Sequence, residues 1–206
     1  MNEKYKWLTI ARHLQSIGQA GLTYTENKYD LERYEQIMQL SKEIIADFST
    51  MAMEKLDSVF ALEEGYLTSK VDVRAVVFRE EKILLVQETI DGKWALPGGW
   101  ADVGLSPAEV VVKEVAEESG LEVQADKLLA VFDKKCHPHP PELYYVYKMF
   151  FLCHEIGGTL KTSIETSDAG FFAKDQLPEL STNRNTTSQI ITMFGLRNTS
   201  GPTLFD

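Results

Sequence analysis

Residues 96–121, LPGGWADVGLSPAEVVVKEVAEESGL, constrain this chain more than any other stretch of its 206 residues. Ser106 stands where a helix N-cap belongs, Pro107 at the first helical position, and Glu109 three residues after the serine, which completes a capping box. Gly120 marks the far end. On the helix so bounded, Glu114, Glu117 and Glu118 fall at i, i+3 and i+4 and share one side, while Ala108, Val111, Val112 and Val115 form an apolar side facing a core. Like charges at that spacing cost about 0.2–0.5 kcal/mol per pair on an exposed helix, and more beneath a loop. A hard cation bound by oxygens, Mg²⁺ or Mn²⁺, removes that cost, and the Gly98-Gly99 pair lets backbone carbonyls approach it. An acidic face standing in water is the competing reading. The glycine pair, the acid-bearing turn, the cap and the closing Gly-Leu in one run argue for a site.

This stretch resembles the Nudix hydrolases, whose signature reads G-x5-E-x7-R-E-U-x-E-E-x-G-U, with U a bulky aliphatic. Gly99 takes the first glycine, Glu114 the glutamate after the arginine, Val115 the aliphatic, Glu117 and Glu118 the paired acids, and Gly120-Leu121 the end. Leu105 stands in place of the first glutamate and Lys113 in place of the arginine. Those two residues brace loop against helix in the family, so the departures touch the bracing rather than the metal-binding acids. Lysine keeps the charge but lacks the planar fork, and Asp102 leaves an acid in the turn at another position. The resemblance implies an α/β/α sandwich and metal-assisted hydrolysis of a pyrophosphate. It implies divalent ions held by Glu114, Glu117, Glu118 and a carbonyl of Gly98 or Gly99. Glu114 is the first choice of general base and Glu165, in a region where the family often supplies another acid, the second base and a further ligand. Lys113 would partly replace the missing arginine.

The chain has 21 Lys and Arg against 31 Asp and Glu, a net charge of -10, which speaks against a surface built for a nucleic-acid backbone. Over residues 1–65, seven basic residues face eleven acidic ones, so the helical pattern there does not read as a DNA-binding pair. That pattern runs through Trp7, Ile10, Ala11, Leu14 and Ile17, then from an Asp30 cap through Tyr34, Ile37, Met38, Ile44, Ile45 and Phe48. A third short helix is expected through Leu56, Val59 and Phe60 to Gly65. So few helices make a small core, which suits a dimerisation element or a substrate lid. The segment also resembles the helical N-terminus of a Nudix subfamily acting on nucleoside diphosphates linked to another group. Residues 1–65 are thus expected to form a helical domain and 66–206 the catalytic one, with residues 64–70 as linker.

Strand patterns follow at 71–78, 82–87, 122–132 and 143–154, the last ending at a Gly157-Gly158 turn, with a helix near 185–194. The fold class is α/β; no G-x-G-x-x-G follows the first strand, which excludes a doubly wound nucleotide fold. The two cysteines lack metal or redox spacing, the N-terminus lacks a signal-peptide core, and no apolar run has spanning length. A cytoplasmic protein without membrane partner, and a homodimer, is expected.

Arg74 lies in an apolar strand with Asp72 two residues away; it either pairs with an acid or holds a substrate phosphate. Arg184, before the last helix, is a second phosphate candidate; for Tyr144, Tyr145 and Tyr147 core packing is the favoured reading over stacking on a base, for which Tyr147 is the candidate. Asp168 is a weaker acid candidate than Glu165. His137 and His139, in a proline-broken segment, read as a rigid pocket rim rather than a zinc pair. Trp94 and Trp100 read as structural clamps around the glycines. The subfamily resemblance implies CDP-choline or ADP-ribose as substrate. A non-cleaving nucleotide-sugar sensor and an RNA 5′-end pyrophosphohydrolase are the alternatives.

Overall fold

The computed structural model describes residues 6–61 and 65–206. It divides into two compact units. One contains the described residues up to Thr68 together with Pro141–Leu143, and the other Ser69–Pro140 with Tyr144–Asp206.

The first unit is helical: α1 (Lys6–Tyr24), α2 (Lys28–Phe48) and α3 (Met53–Ala61). Ala11, Ile45, Leu56 and Phe60 form its buried core, and Leu143 packs on them. A Cβ on Gly21 would lie inside the Tyr34 ring, and one on Gly18 within 2.8 Å of Met38, so the two long helices touch where α1 has no side chain. The start of α2 differs from expectation. Asn27 is the cap, its side chain accepting from Tyr29 N–H, and Asp30 sits in the first turn paired with Arg33. The third helix is described as far as Ala61; the expected continuation to Gly65 and part of the expected linker involve residues 62–64, outside the described residues.

The second unit has strands β1 (Lys70–Arg79), β2 (Lys82–Glu88), β3 (Trp94–Ala95), β4 (Leu121–Asp133), β5 (Val146–Gly158), β6 (Thr166–Ala173) and β7 (Leu204–Phe205), with helices α4 (Pro107–Ser119) and α5 (Thr187–Leu196). They form a mixed seven-stranded sheet in the order β3-β2-β1-β5-β4-β7, with β6 paired to β2. β1 and β5 are parallel neighbours, Asp72 opposite Lys148 and Arg74 opposite Phe150. Alternation along β1 sends Val73, Ala75 and Val77 against Val110, Val111 and Val115 of α4, and Val76 to the cluster that holds Ile190 and Met193 of α5. A helix on each face gives the expected α/β/α layering. Val110, not Ala108, completes the buried side of α4.

Two features escaped the sequence pattern. β6 begins Thr-Ser-Asp-Ala-Gly, too polar to read as a strand, yet Thr166 is fully buried. The expected turn at Gly157-Gly158 is instead strand, paired with Glu122 and Leu121. Gly158 has φ 84°, and a Cβ there would strike the Gly120 carbonyl, so the pair serves close approach rather than chain reversal.

Candidate active site

Helix α4 forms as its ends dictate: Ser106 accepts from Glu109 N–H while Glu109 Oε2 accepts from Ser106 N–H at 2.7 Å, and Gly120 caps the far end at φ 75°. The loop before it docks along β1. Ala75 N–H donates to Pro97 O, Val73 N–H to Gly99 O and Ala101 N–H to Val71 O, so residues 97–101 lie against the part of β1 beyond its pairing with β2. Gly98 sits at φ 139°, and a Cβ there would fall 2.1 Å from the Val73 carbonyl oxygen; only glycine fits.

This docking sets the glycine pair under the acids. Gly98 N–H donates to Glu118 Oε2 at 2.8 Å, and a Cβ on Gly99 would come within 3.1 Å of Glu114 Oε2. The Gly99 carbonyl is engaged by Val73, which makes Gly98 the better carbonyl candidate. Glu118 is 5% exposed. Burial pushes its carboxyl up to about 7, Arg74 and the Gly98 N–H pull it down, and Glu114 and Glu88 push it further up. Burial raises Glu114 too; Lys113 and Arg74 oppose, while Glu117 and Glu165 add to the rise. Glu117 is exposed and leans toward Lys113, whose Nζ lies 3.5 Å from it. Among the described residues no three His, Cys, Asp or Glu side chains converge as a ready cage. The donor chemistry nonetheless fits a hard cation: two half- to fully buried carboxylates with elevated affinity for positive charge, oxygens only, over a glycine floor.

The departures from the signature find a local answer. Lys113 Nζ pairs with Asp102 Oδ2 at 3.0 Å, tying loop to helix, while Leu105 is exposed. An ion pair thus joins loop and helix at Lys113 and Asp102, where the signature has an arginine at 113 and a glutamate at 105.

Arg74, the first candidate for a substrate phosphate, is found paired with an acid. It is 2% exposed; Nε and Nη2 donate to the two oxygens of Asp72 at 2.7 and 3.1 Å, and Nη1 to Leu96 O at 3.0 Å. Three of its five N–H groups are thus spent on Asp72 and on the loop at Leu96, so it joins the loop to the buried acid. Asp72 also takes Lys148 Nζ at 2.5 Å. Tyr147 is 45% exposed, and no hydrogen bond, ion pair or ring contact joins it to the acid helix among the described residues. Glu165 is exposed in the loop before β6, where Thr89 N–H binds its carbonyl, near enough to Glu114 to raise its carboxyl. Asp168 is exposed on β6 and caps its own chain at Ala169 N–H.

Arg184 stands in the turn before α5 with Nε 2.5 Å from Glu88 Oε1, and its side chain is 34% exposed. Glu88 and Asn185, whose Oδ1 accepts from Leu96 N–H, carry no local signal in the sequence, because their contacts span 96 and 89 residues. His137 faces Asp206 and His139 Nδ1 donates to Thr182 O, so neither faces the other as a metal pair. Burial lowers His139 to about 4 against the pull of that carbonyl, which keeps it neutral. Trp94 packs edge-on against Phe172; Trp100 is half exposed and joins Asp72 through a backbone bridge.

Known families match the chain over both of its units. Residues 68–193 match the model of the NUDIX domain, and residues 5–60 that of a UDP-X-like, N-terminal oligomerisation domain. The chain is 48% identical over 98% of its length, and 97% of the relative's, to the Bacillus subtilis (strain 168) protein YjhB, whose name proposes an ADP-ribose pyrophosphatase. The crystal structure of an ADP-ribose pyrophosphatase from Streptococcus suis 89-1591 matches 68% of this chain and all of that one at 44% identity, TM-score 0.62. The crystal structure of a UDP-X diphosphatase matches 98% of this chain and 99% of that one at 33% identity, TM-score 0.65.

Proposed function

Since the chain belongs to the Nudix hydrolase family and is a Nudix pyrophosphatase, we propose that it cleaves the pyrophosphate of a nucleoside diphosphate linked to a second group. The products are a nucleoside monophosphate and the phosphorylated second group. The observation that carries this reading is the pair of buried or half-buried carboxylates, Glu114 and Glu118, over the Gly98-Gly99 floor. ADP-ribose is the first substrate to test, because the similarity to YjhB, whose name proposes it, extends over 98% of the chain. UDP-linked groups come next by the same reasoning, then CDP-choline.

Mg²⁺ or Mn²⁺, held by Glu114, Glu117, Glu118 and the Gly98 carbonyl, would supply charge neutralisation for the diphosphate and acidify the attacking water. Glu165 is a further candidate ligand. Within the protein, Glu114 takes the proton from that water. Its raised carboxyl suits the task, and Glu165 is the second candidate. Lys113, with Asp102, keeps the loop at its distance from the helix and acts by positioning. Arg184 offers the site a guanidinium for a substrate phosphate. The helical unit pairs two copies of the chain; Ile10, Ile17, Leu40 and Phe48 are exposed on it, and its family model is described by oligomerisation.

The test is phosphate-coupled turnover with Mg²⁺ and with Mn²⁺ on ADP-ribose, UDP-linked sugars, CDP-choline, nucleoside triphosphates and 5′-triphosphate RNA. One diphosphate substrate should stand out and EDTA should abolish the signal. Inertness toward all of them, or preference for the RNA end, overturns the reading.

A further inference from the structure

Glu88 ends β2 with its side chain 4% exposed, a position where a carboxylate is costly. The ladder between β2 and β6 shifts register between Gln87 and Glu88, so Glu88 lies opposite Thr166 rather than continuing the earlier pairing. Register shifts of this kind re-aim side chains next to active sites. The backbone around it is fixed, for Glu88 N–H donates to Lys93 O and Gly92 N–H to Glu88 O, at 2.8 and 2.9 Å.

The partner is equally fixed. The turn that carries Arg184 is tied down by Arg184 N–H and Asn185 N–H to Ser181 O, by Ser181 Oγ to Asp91 Oδ2 at 2.7 Å, and by Asn185 Oδ1 to Leu96 N–H at 3.0 Å. Glu88 therefore meets Arg184 across two rigid segments as an ion pair at Nε, with Oε1 off hydrogen-bond geometry, while the Nη nitrogens make no hydrogen bond to any described residue. An arginine anchored at Nε by a buried acid, one-third exposed, with its fork edge open, is built to take an oxyanion. The site's own acids lie close by, since Glu88 and Glu118 act on one another electrostatically.

We propose that Glu88 is a positioning residue that holds the Arg184 guanidinium for a phosphate of the substrate. The proposal rests on the pyrophosphatase reading above. Steady-state kinetics on ADP-ribose at saturating Mn²⁺, for wild type, Glu88→Gln, Arg184→Lys and the double variant, test it alongside a Mn²⁺ titration and thermal melting. Glu88→Gln should raise KM about tenfold with kcat within about twofold of wild type, the loss of one charge-assisted contact. Arg184→Lys should do the same, and the double variant should be no worse than either. Glu88→Asp, which keeps the charge and withdraws it from Arg184, carries the test should Glu88→Gln fail to fold. An unchanged KM overturns the proposal, as does a lower one, which would make Glu88 a competitor for Arg184. Weakened Mn²⁺ binding at constant KM also overturns it, by placing Glu88 with the metal acids. If wild type hydrolyses no diphosphate, the pyrophosphatase reading fails by itself. Calorimetric affinity for ADP-ribose then decides: a loss in Glu88→Gln supports the proposal, and no loss, or no binding by wild type, overturns it.

Discussion

Two charged clusters flank the Gly98 loop, and they are solved in opposite ways. Behind the loop, one carboxylate, Asp72, lies between two buried cations, Arg74 and Lys148. Burial would raise Asp72, yet the two cations bring it down to about 2. Lys148 pays for sharing that partner: burial lowers it to about 8, with Arg74 adding to the fall. In front of the loop, Glu114, Glu117 and Glu118 have Lys113 as the nearest cation on their helix, and the buried Glu118 is pushed up to about 7. The rear cluster supplies its own counter-charges and serves as a brace. The front one is short of positive charge, which is the electrostatic mark of a place that expects a cation.

The largest effect should come from breaking the rear cluster. Asp72→Asn leaves two buried cations without their acid and should cost about 3–5 kcal/mol of stability, read by denaturant unfolding. A loss under about 1 kcal/mol would dissolve the contrast. In EDTA the front cluster should reveal itself through pH. Glu118 is protonated in both folded and unfolded chains below about 4.5; above that the unfolded chain releases its proton first. Stability should therefore fall as pH rises toward about 7, by a contribution on the order of 3 kcal/mol. Mn²⁺ should flatten that slope, and Glu118→Gln should remove it. A slope of the other sign in the metal-free wild type contradicts the assignment.

Glu118→Gln and Glu117→Gln should each lower turnover by about a hundredfold or more, while Glu118→Gln leaves the metal-free protein no less stable. Retained activity in both variants would remove the acid helix from the chemistry. The smallest expected effect concerns the brace. Both Lys113 and Asp102 are partly exposed, so Asp102→Asn should lower turnover only about two- to fivefold. Leu105→Glu in that background should restore it, because it returns an acid to the signature position; failure to restore would mean that Asp102 acts otherwise.

What the sequence disclosed follows the range of the interactions involved. The α4 helix, its cap and its acids were legible because capping and periodicity act within a few residues, and a glycine-rich loop announces itself. Arg74 is ambiguous in sequence between partner and ligand, because its contact with Leu96 spans 22 residues. Glu88 gave no signal at all, since its partner lies in a turn whose position depends on Leu96 and Asp91. Strand β6 was hidden because its polar half is buried through specific contacts, Thr166 Oγ1 donating to Glu118 O, rather than through apolar alternation.

That last bond belongs to a set with a mechanical meaning. At the C-terminal end of α4, Glu118 O accepts from Thr166, Ser119 O from Lys161 N–H and Gly120 O from Thr159 N–H, so carbonyls that a helix end leaves free are taken up by the chain around β5 and β6. At the other end residues 102–105, beyond the part of the loop docked on β1, are exposed, and Asp102 is tied to the helix by its surface pair with Lys113. The helix is thus fixed at Ser119-Gly120 by backbone bonds and along Val110, Val111 and Val115 by packing, and its first turn by its cap. Fraying from that first turn reaches Ser106 before Glu114 and Glu114 before Glu118. Amide exchange should accordingly be slowest beside the pinned glutamate and quicken toward the cap, so that the acids differ in how far they can follow a ligand as well as in charge.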